Sequence, residues 1–253
     1  DRADQMRRVH STFLGFISVA QSADTGEKVG VSKQKGPWVT ITEASSSEAL
    51  KMAIHEDPEF IPLDDVPLPA EITAGKLTKV FVNGDWIGLC KNGAEFVKYY
   101  RWLRRVDKIH PQSTIVWEPL VRNVYFWVDV GRLIRPVVIV YNNLAEYVSA
   151  YKKDPKTSVK FTQWIKLTRA HIDGLRAGTI TIEDLRRERV VEYISAEEQE
   201  NMLIAPRYKD LIKARHDVTT QYTHCDVEVS IFGIVELSSP NINHSPASRI
   251  CMA

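Results

Sequence analysis

Lys79-Val80-Phe81-Val82-Asn83-Gly84-Asp85-Trp86-Ile87-Gly88-Leu89 is the stretch whose reading decides the fold of this chain. Two β-prone runs flank Asn83-Gly84, a dipeptide that reaches positive φ at little cost, so the stretch predicts a β-hairpin. Directly after it, Phe96, Tyr100 and Leu103 recur at i, i+4 and i+7, which predicts a helix over 93–106. The other face of that helix carries Lys98, Arg101, Arg104 and Arg105. Thr114–Trp117, Asn123–Asp129 and Pro136–Tyr141 read as three further strands. In the second, Val124, Phe126 and Val128 alternate with Tyr125, Trp127 and Asp129, and the first set is assigned to the core.

Working outward toward the start, Phe13–Ala20 reads as a strand, followed by a polar loop over 21–28 and a strand at Val39–Thr42. Ser45 with Glu48 forms a capping-box pattern, which predicts a helix over 46–55. Residues 57–75 contain Pro58, Pro62, Pro67 and Pro69 and read as an extended connector. Toward the end, residues 144–190 read as helical and charged, with Phe161, Ile165 and Leu167 to bury and Gly174 and Gly178 at ends or turns. Ser195 with Glu198 is a second capping box, predicting a helix through Ala205, and Thr223–Val235 reads as β-structure. Strands and helices without a strict βαβ rhythm place the fold in the α+β class.

The chain has 253 residues, long enough for a sizeable core in one large domain or two ordinary ones. It is 44% hydrophobic and 26% charged, which excludes a disordered tail, a collagen-like chain or a disulfide scaffold. Its 33 basic and 32 acidic residues leave a formal charge of +1, so bulk charge selects no anionic partner. Cys90, Cys225 and Cys251 are far apart and odd in number, which points to a reducing, intracellular compartment. No apolar run is long enough to span a membrane. The first residues carry neither an initiator Met nor a signal peptide, and both ends read as cut from a longer polypeptide.

Catalytic signatures are missing. His216, His224, Cys225 and His244 do not fall at zinc spacing and read as ordinary core or surface residues. There is no nucleophile elbow, and Gly26–Gly30 is too short and acidic for a phosphate loop. Asp64-Asp65 lie in the connector, and Glu197-Glu198 favour a helix N-terminus without any catalytic role. Basic clusters carry more information. The Arg101/Arg104/Arg105 and Arg186/Arg187/Arg189 patches could hold phosphate but read first as solvated helix faces. Arg7, Arg8 and His10, with Lys28, Lys33 and Lys35 around loop glycines, are the stronger phosphate candidates.

The order of short motifs then becomes decisive. Arg8-Val9-His10-Ser11-Thr12-Phe13-Leu14-Gly15, Val80–Gly88, Leu103-Arg104-Arg105, Asp129-Val130-Gly131-Arg132-Leu133-Ile134-Arg135-Pro136, Val191–Glu198, Thr223-His224-Cys225-Asp226-Val227 and Asn243-His244-Ser245-Pro246 resemble, in the same order, segments of one family. The family is that of the second-largest, β-type subunits of multisubunit DNA-dependent RNA polymerases. The resemblance covers nearly the whole chain. It implies that 1–35 is the end of the fork region, 36–215 the external region and 216–253 the start of the hybrid-binding region. It further implies an internal piece of a much longer subunit that transcribes DNA into RNA, located in nucleus or cytoplasm. The divergent wording within a eukaryote-like frame points to a large DNA virus, in which case the place would be a viral factory or virion.

The family's acidic E-T-P-E-G loop is here Gln21-Ser22-Ala23-Asp24-Thr25-Gly26, so Asp24 or Glu27 stands in for its second carboxylate. Ala247 occupies the place of one family arginine, and the triphosphate-contacting role carries over to Arg249. By the same resemblance Arg7 and Arg8 lie near downstream DNA. Gln21, Asp24, Lys28 and Lys33 lie by the active-centre nucleic acid. The implied partners are the largest subunit, smaller polymerase subunits, template DNA, the RNA–DNA hybrid and nucleotide triphosphates, with no membrane. Magnesium would be bound mainly by the largest subunit, leaving no cofactor in this segment and no activity in the fragment alone. The near-zero charge then averages an acidic external surface with a few cations aimed at nucleic acid. A stand-alone, non-catalytic nucleic-acid-binding or scaffold module sharing these motifs is the competing reading.

Overall fold

The computed structural model describes residues 5–22, 28–67, 69–153, 159–227, 232–241 and 244–245. Among them the strands form a two-stranded ribbon, a five-stranded sheet and a six-stranded sheet, with helices interleaved in an α+β arrangement. The ribbon pairs β1 (Ile17–Ser22) antiparallel with β2 (Lys33–Lys35). Next come β3 (Thr40–Ile41), α1 (Ser47–His55), β4 (Phe60–Pro62) and α2 (Pro69–Ala74). The predicted hairpin is β5 (Thr78–Val82) and β6 (Asp85–Cys90), turning at Asn83 and Gly84 with φ of 49° and 89°. Then follow α3 (Gly93–Arg105), β7 (Thr114–Glu118) and β8 (Asn123–Trp127).

The five-stranded sheet runs β4-β6-β5-β8-β7, with β5 and β8 parallel. α1 and α3 close one of its faces: Leu50 and Ile54 meet Val80, Val82, Phe96, Tyr100, Val124 and Phe126 in one core. Val124, Phe126 and Val128 are core residues, as their alternation requires. Each such side chain contributes about 1.5–3 kcal/mol by leaving water.

The six-stranded sheet is organised by β9 (Leu133–Asn142), followed by α4 (Leu144–Lys153), β10 (Gln163–Ile165), α5 (Arg169–Ala177) and α6 (Ile182–Arg187). β11 (Val191–Ser195), α7 (Ala196–Glu200), β12 (Ile204–Ala205), α8 (Tyr208–Lys213), β13 (His224–Cys225) and α9 (Ile234–Ser238) complete the chain. β3, β10, β11 and β13 all pair antiparallel with β9. β9 is buried from Ile134 to Val140, so it carries an apolar run rather than an alternation. No helix among the described residues is long and apolar enough to cross a membrane.

Several sequence expectations shift. Phe13–Ala20 is not one strand: Ser11–Phe13 is a 3-10 turn and Gly15 takes φ +84°, which breaks the extended run before Ile17. The first helix is capped by Ser46, not Ser45, whose neighbour's hydroxyl accepts from Ala49 N; three consecutive serines make the position degenerate in sequence. The proline-rich stretch is structured, because Pro62 sits on an edge strand and Pro69 opens α2, where a missing N–H costs nothing. Residues 144–190 contain a strand, β10, between helices. Gly178 ends α5 at φ +71°, whereas Gly174 lies within α5, where a Cβ would meet Ile180 Cδ1 at 2.5 Å. The Ser195 cap is present, but its helix stops at Glu200 and β12 follows. Of the β-structure expected over Thr223–Val235, β13 holds only His224–Cys225, 228–231 lie outside the described residues, and Ile234 begins α9.

Candidate nucleic-acid interface

The basic N-terminal surface is assembled from two stretches separated in sequence. Gln5–Arg7 forms a 3-10 turn that lays Arg7 against residues 28–33. Arg7 Nη1 donates to the Val29 carbonyl, and Lys33 Nζ donates to the Met6 carbonyl at 3.3 Å. Gly30, at φ +72°, permits the approach: a Cβ there would lie 2.8 Å from the Arg7 carbonyl oxygen. Arg8, Lys28 and Lys35 are exposed, and Arg7 and Lys33 half-buried. The sequence-predicted cations Arg7, Arg8, Lys28 and Lys33 are thus brought to one neighbourhood, and a group of like charges held together suits a polyanion. His10 caps the next turn, its Nδ1 2.8 Å from the Thr12 hydroxyl. Gln21 lies in β1. Asp24 and Arg249 lie outside the described residues, as do 246–253 as a whole.

This end is tied to the six-stranded sheet through Arg135 of β9. Its guanidinium lies over the Phe16 ring at 5.4 Å and under Gly15, where a Cβ would come within 3.2 Å of it. Arg135 Nη1 donates to both Asp226 oxygens at 2.8 Å, and its Nε and Nη2 donate to Gln199 Oε1 at 3.0 and 2.7 Å. Gln199 Nε2 in turn donates to the Thr12 and Leu14 carbonyls at 3.0 and 3.1 Å. One arginine therefore fixes the segment carrying the N-terminal cations against β9 and α7.

Between the two sheets lies a seam built from charge. Arg104 of α3 is 2% exposed; its Nη1 donates to Glu198 at 2.8 Å and to the Ser113 carbonyl at 2.7 Å, and its Nη2 to Glu192 at 3.2 Å. Arg105 makes a bidentate pair with Glu192 at 2.6 and 3.1 Å. Glu198, fully buried, also accepts from Ile115 N at 3.0 Å, with Arg101 Nε 3.8 Å away. Burial pushes the Glu192 carboxyl up, but Arg105, the His224 hydrogen bond and Arg104 outweigh it and hold the carboxyl well below its ordinary range. Burial also pushes the His224 imidazole down, against the pull of Glu192 and with help from Arg105 and Arg101. We assign a neutral ring whose Nε2–H donates to Glu192, with Nδ1 3.0 Å from the Thr223 hydroxyl.

These contacts correct the reading of the first helical basic patch at Arg104 and of the second at Arg186. Arg104 is buried in the seam, and Arg186 is 7% exposed, paired with Asp107 and with Glu183 at 2.6 Å. Arg104 is neutralised inside the fold by carboxylates of β11 and α7 and Arg186 by Asp107 and its helix neighbour Glu183, while Arg187 and Arg189 stay exposed to solvent. Glu198 likewise does more than cap its helix. Among the described residues, no three His, Cys, Asp or Glu side chains converge on a metal position.

Two family models match the chain: RNA polymerase Rpb2, domain 4, over residues 80–141, and RNA polymerase Rpb2, domain 5, over residues 183–228. DNA-directed RNA polymerase II subunit RPB2 of Encephalitozoon cuniculi is 27% identical over 250 residues, covering 96% of this chain and 20% of the relative. DNA-directed RNA polymerase II subunit 2 of Arabidopsis thaliana is 25% identical over 252 residues, covering 96% and 19%. DNA-directed RNA polymerase subunit Rpo2 of Saccharolobus shibatae is 29% identical over 256 residues, covering 97% and 20%. Over residues 80–141 and 183–228 the chain matches Rpb2 domains, and along nearly its whole length it is similar to second-largest RNA polymerase subunits. It spans about a fifth of the length of these relatives.

The two matched Rpb2 stretches are the two sides of the seam. Arg101, Arg104, Arg105, Arg132 and Arg135 lie in the first, and Glu192, Glu198, Gln199, His224 and Asp226 in the second. Of the motifs that carry the Rpb2 resemblance, those around Arg104-Arg105, Arg135, Glu192–Glu198 and His224–Asp226 join one matched stretch to the other. Sequence reasoning had missed Glu192, His224, Arg135 and Asp226 as a group. The available signal was a charge embedded in an apolar strand run, as in Val191-Glu192-Tyr193-Ile194 and Ile134-Arg135-Pro136-Val137. A buried charge of this kind requires a partner from elsewhere in the chain.

Proposed function

We propose that this chain is the part of a DNA-dependent RNA polymerase second-largest subunit that positions nucleic acid and the incoming nucleotide triphosphate. In this reading 1–35 ends the fork region, 36–215 is the external region and 216–253 begins the hybrid-binding region. The observation that carries it is the Arg7–Gly30–Lys33 contact, which gathers the N-terminal cations on a segment braced by Arg135. Arg7 and Arg8 would neutralise phosphates of downstream DNA, with Gln21, Asp24, Lys28 and Lys33 beside the active-centre nucleic acid. Arg249 would grip the triphosphate, since a guanidinium fork binds phosphate oxygens bidentately and offsets charge developing on the leaving pyrophosphate. Magnesium would supply Lewis-acid stabilisation in the whole enzyme, held mainly by the largest subunit. The seam would keep the cations and the sheets in fixed register with that partner.

The test uses the full enzyme with two variants. Arg8→Ala with Lys28→Ala should lower nucleic-acid affinity and reduce the slope of log affinity against log salt by about 0.9 per lost phosphate contact. Arg249→Ala should raise the nucleotide concentration needed for half-maximal addition and slow each step. An unchanged salt slope together with unchanged elongation kinetics would refute the assignment.

A further inference from the structure

α1 and α3 cover one face of the five-stranded sheet; on the other, α7 packs beside β7 and buries Val116, leaving Phe81, Tyr125 and Trp127 half-exposed. Alternation along β5, β7 and β8 turns Phe81, Val116, Tyr125 and Trp127 away from the core side chains Val80, Ile115, Val124 and Phe126. On that second face Phe81 stacks on Tyr125 at 5.1 Å and 22°, and Tyr125 on Trp127 at 6.3 Å and 10°. A cleft of about 490 Å³ opens beside this aromatic ladder, walled by Leu120, Tyr125 and Trp127 and rimmed by Glu118, Glu197 and Glu200. Leu120, in the β7–β8 turn, is 99% exposed. The Asn201 amide donates to the Trp117 carbonyl at 3.0 Å, holding the end of α7 and its carboxylates beside β7.

We propose that the half-exposed aromatic part of this face, with the acidic cleft beside it, docks a polypeptide segment bearing lysine or arginine with an apolar anchor, supplied by another protein. The aromatic ladder and Leu120 offer an apolar bed, and aromatic faces attract cations. Every charged side chain lining the cleft is acidic. Burial already disfavours the Glu197 carboxylate, and Glu118 and Glu198 add to that, against Arg132 and a Trp127 hydrogen bond. A cation arriving from solvent relieves this repulsion, whereas a phosphodiester backbone would increase it. The same rim therefore selects a basic polypeptide over a nucleic acid, although stacked aromatics alone would suit either.

The test measures fluorescence anisotropy on the full subunit in its assembled polymerase. The probes are a fluorescein-labelled alternating Lys-Leu peptide, its Glu-Leu counterpart and a labelled oligo(dT). The Lys-Leu peptide should bind and the Glu-Leu peptide should not. Trp127→Ala, and separately Glu197→Gln with Glu200→Gln, should each weaken Lys-Leu binding about tenfold, the latter also flattening its salt dependence. Leu120→Ser, on an exposed turn, should weaken it while sparing the fold, so that misfolding of the Trp127 variant does not decide the outcome. Glu56→Gln with Glu59→Gln, in the separate acidic cleft beside α1, should change nothing. The proposal is overturned if the assembled enzyme does not bind the peptide, or if the cleft variants bind it like the wild type. It is equally overturned if oligo(dT) is the probe that these variants release, or if they abolish self-association of the subunit instead.

Discussion

Glu198→Gln should cost about 3–5 kcal/mol of folding stability, the range for removing one partner of a buried ion pair. The structure gives the reason. Both Glu198 oxygens face donors: Arg104 Nη1 at 2.8 and 3.1 Å, Ile115 N at 3.0 Å and Ser195 N at 3.4 Å. A glutamine keeps the shape but turns one acceptor into an N–H₂ donor. That group must then point at another donor in a site with no access to water, and Glu192 is left as the one carboxylate paired with Arg104. Removing both partners should cost less than the two single changes together, because no guanidinium is then stranded without Glu198, so Arg104→Met combined with Glu198→Gln should fall short of their sum by about 1 kcal/mol or more. Urea denaturation followed by tryptophan fluorescence reads this directly. With a slope of about 3 kcal/mol per molar, the Glu198→Gln midpoint should fall by about 1–2 M. A shift equivalent to less than about 1 kcal/mol, or strictly additive double-variant costs, would refute the view that this seam is a coupled ionic joint.

The neutral, buried His224 should impose a pH dependence. Its imidazole is depressed in the folded chain, so below about 6.5 the unfolded chain binds a proton that the folded chain does not. The contribution is therefore fully present above that pH and is lost as pH falls toward the lowered folded value. His224→Gln, which can still donate to Glu192, should flatten this limb in urea midpoints taken from about pH 8 to pH 5.5, and identical slopes would contradict the assignment. Gly88→Ala places a Cβ 2.3 Å from the Ile61 carbonyl and 2.5 Å from Phe60 Cζ, so it should destabilise by about 1–3 kcal/mol and loosen the β4–β6 edge. Gly84→Ala, with open space around it but φ +89°, should cost only about 1 kcal/mol, and thermal unfolding of the two variants should rank them in that order.

The five-stranded sheet was legible because its signals are local. Asn83-Gly84 encodes its own turn, and Val124, Phe126 and Val128 declare an inward face by alternation. Ser195 and Glu198 announce a helix start, since both partners of the cap lie within one turn. The errors have the opposite origin. Nothing between Phe13 and Ala20 reveals that Arg135, more than a hundred positions on, lies beneath Gly15. Nothing around Pro62 reveals that β6 pairs with it. Two-residue strands such as β12 and β13 have no pattern of their own and exist only because β9 supplies the adjoining ladder.

The candidate site divides in the same way. Sequence alone singled out the cations Arg7, Arg8, Lys28 and Lys33 as candidates, because basic residues beside a glycine-bearing loop can be noticed without their neighbours. The order of its motifs also pointed to the second-largest RNA polymerase subunits to which the chain is similar. What those motifs accomplish was decided only in three dimensions. Arg104 on the polar face of a helix looks like any solvated arginine until β11 and α7 bring Glu192 and Glu198 to it. The free energy of a charge depends on what surrounds it rather than on its position along the chain, and for Arg104, Arg135, Glu192 and His224 those surroundings come from other elements.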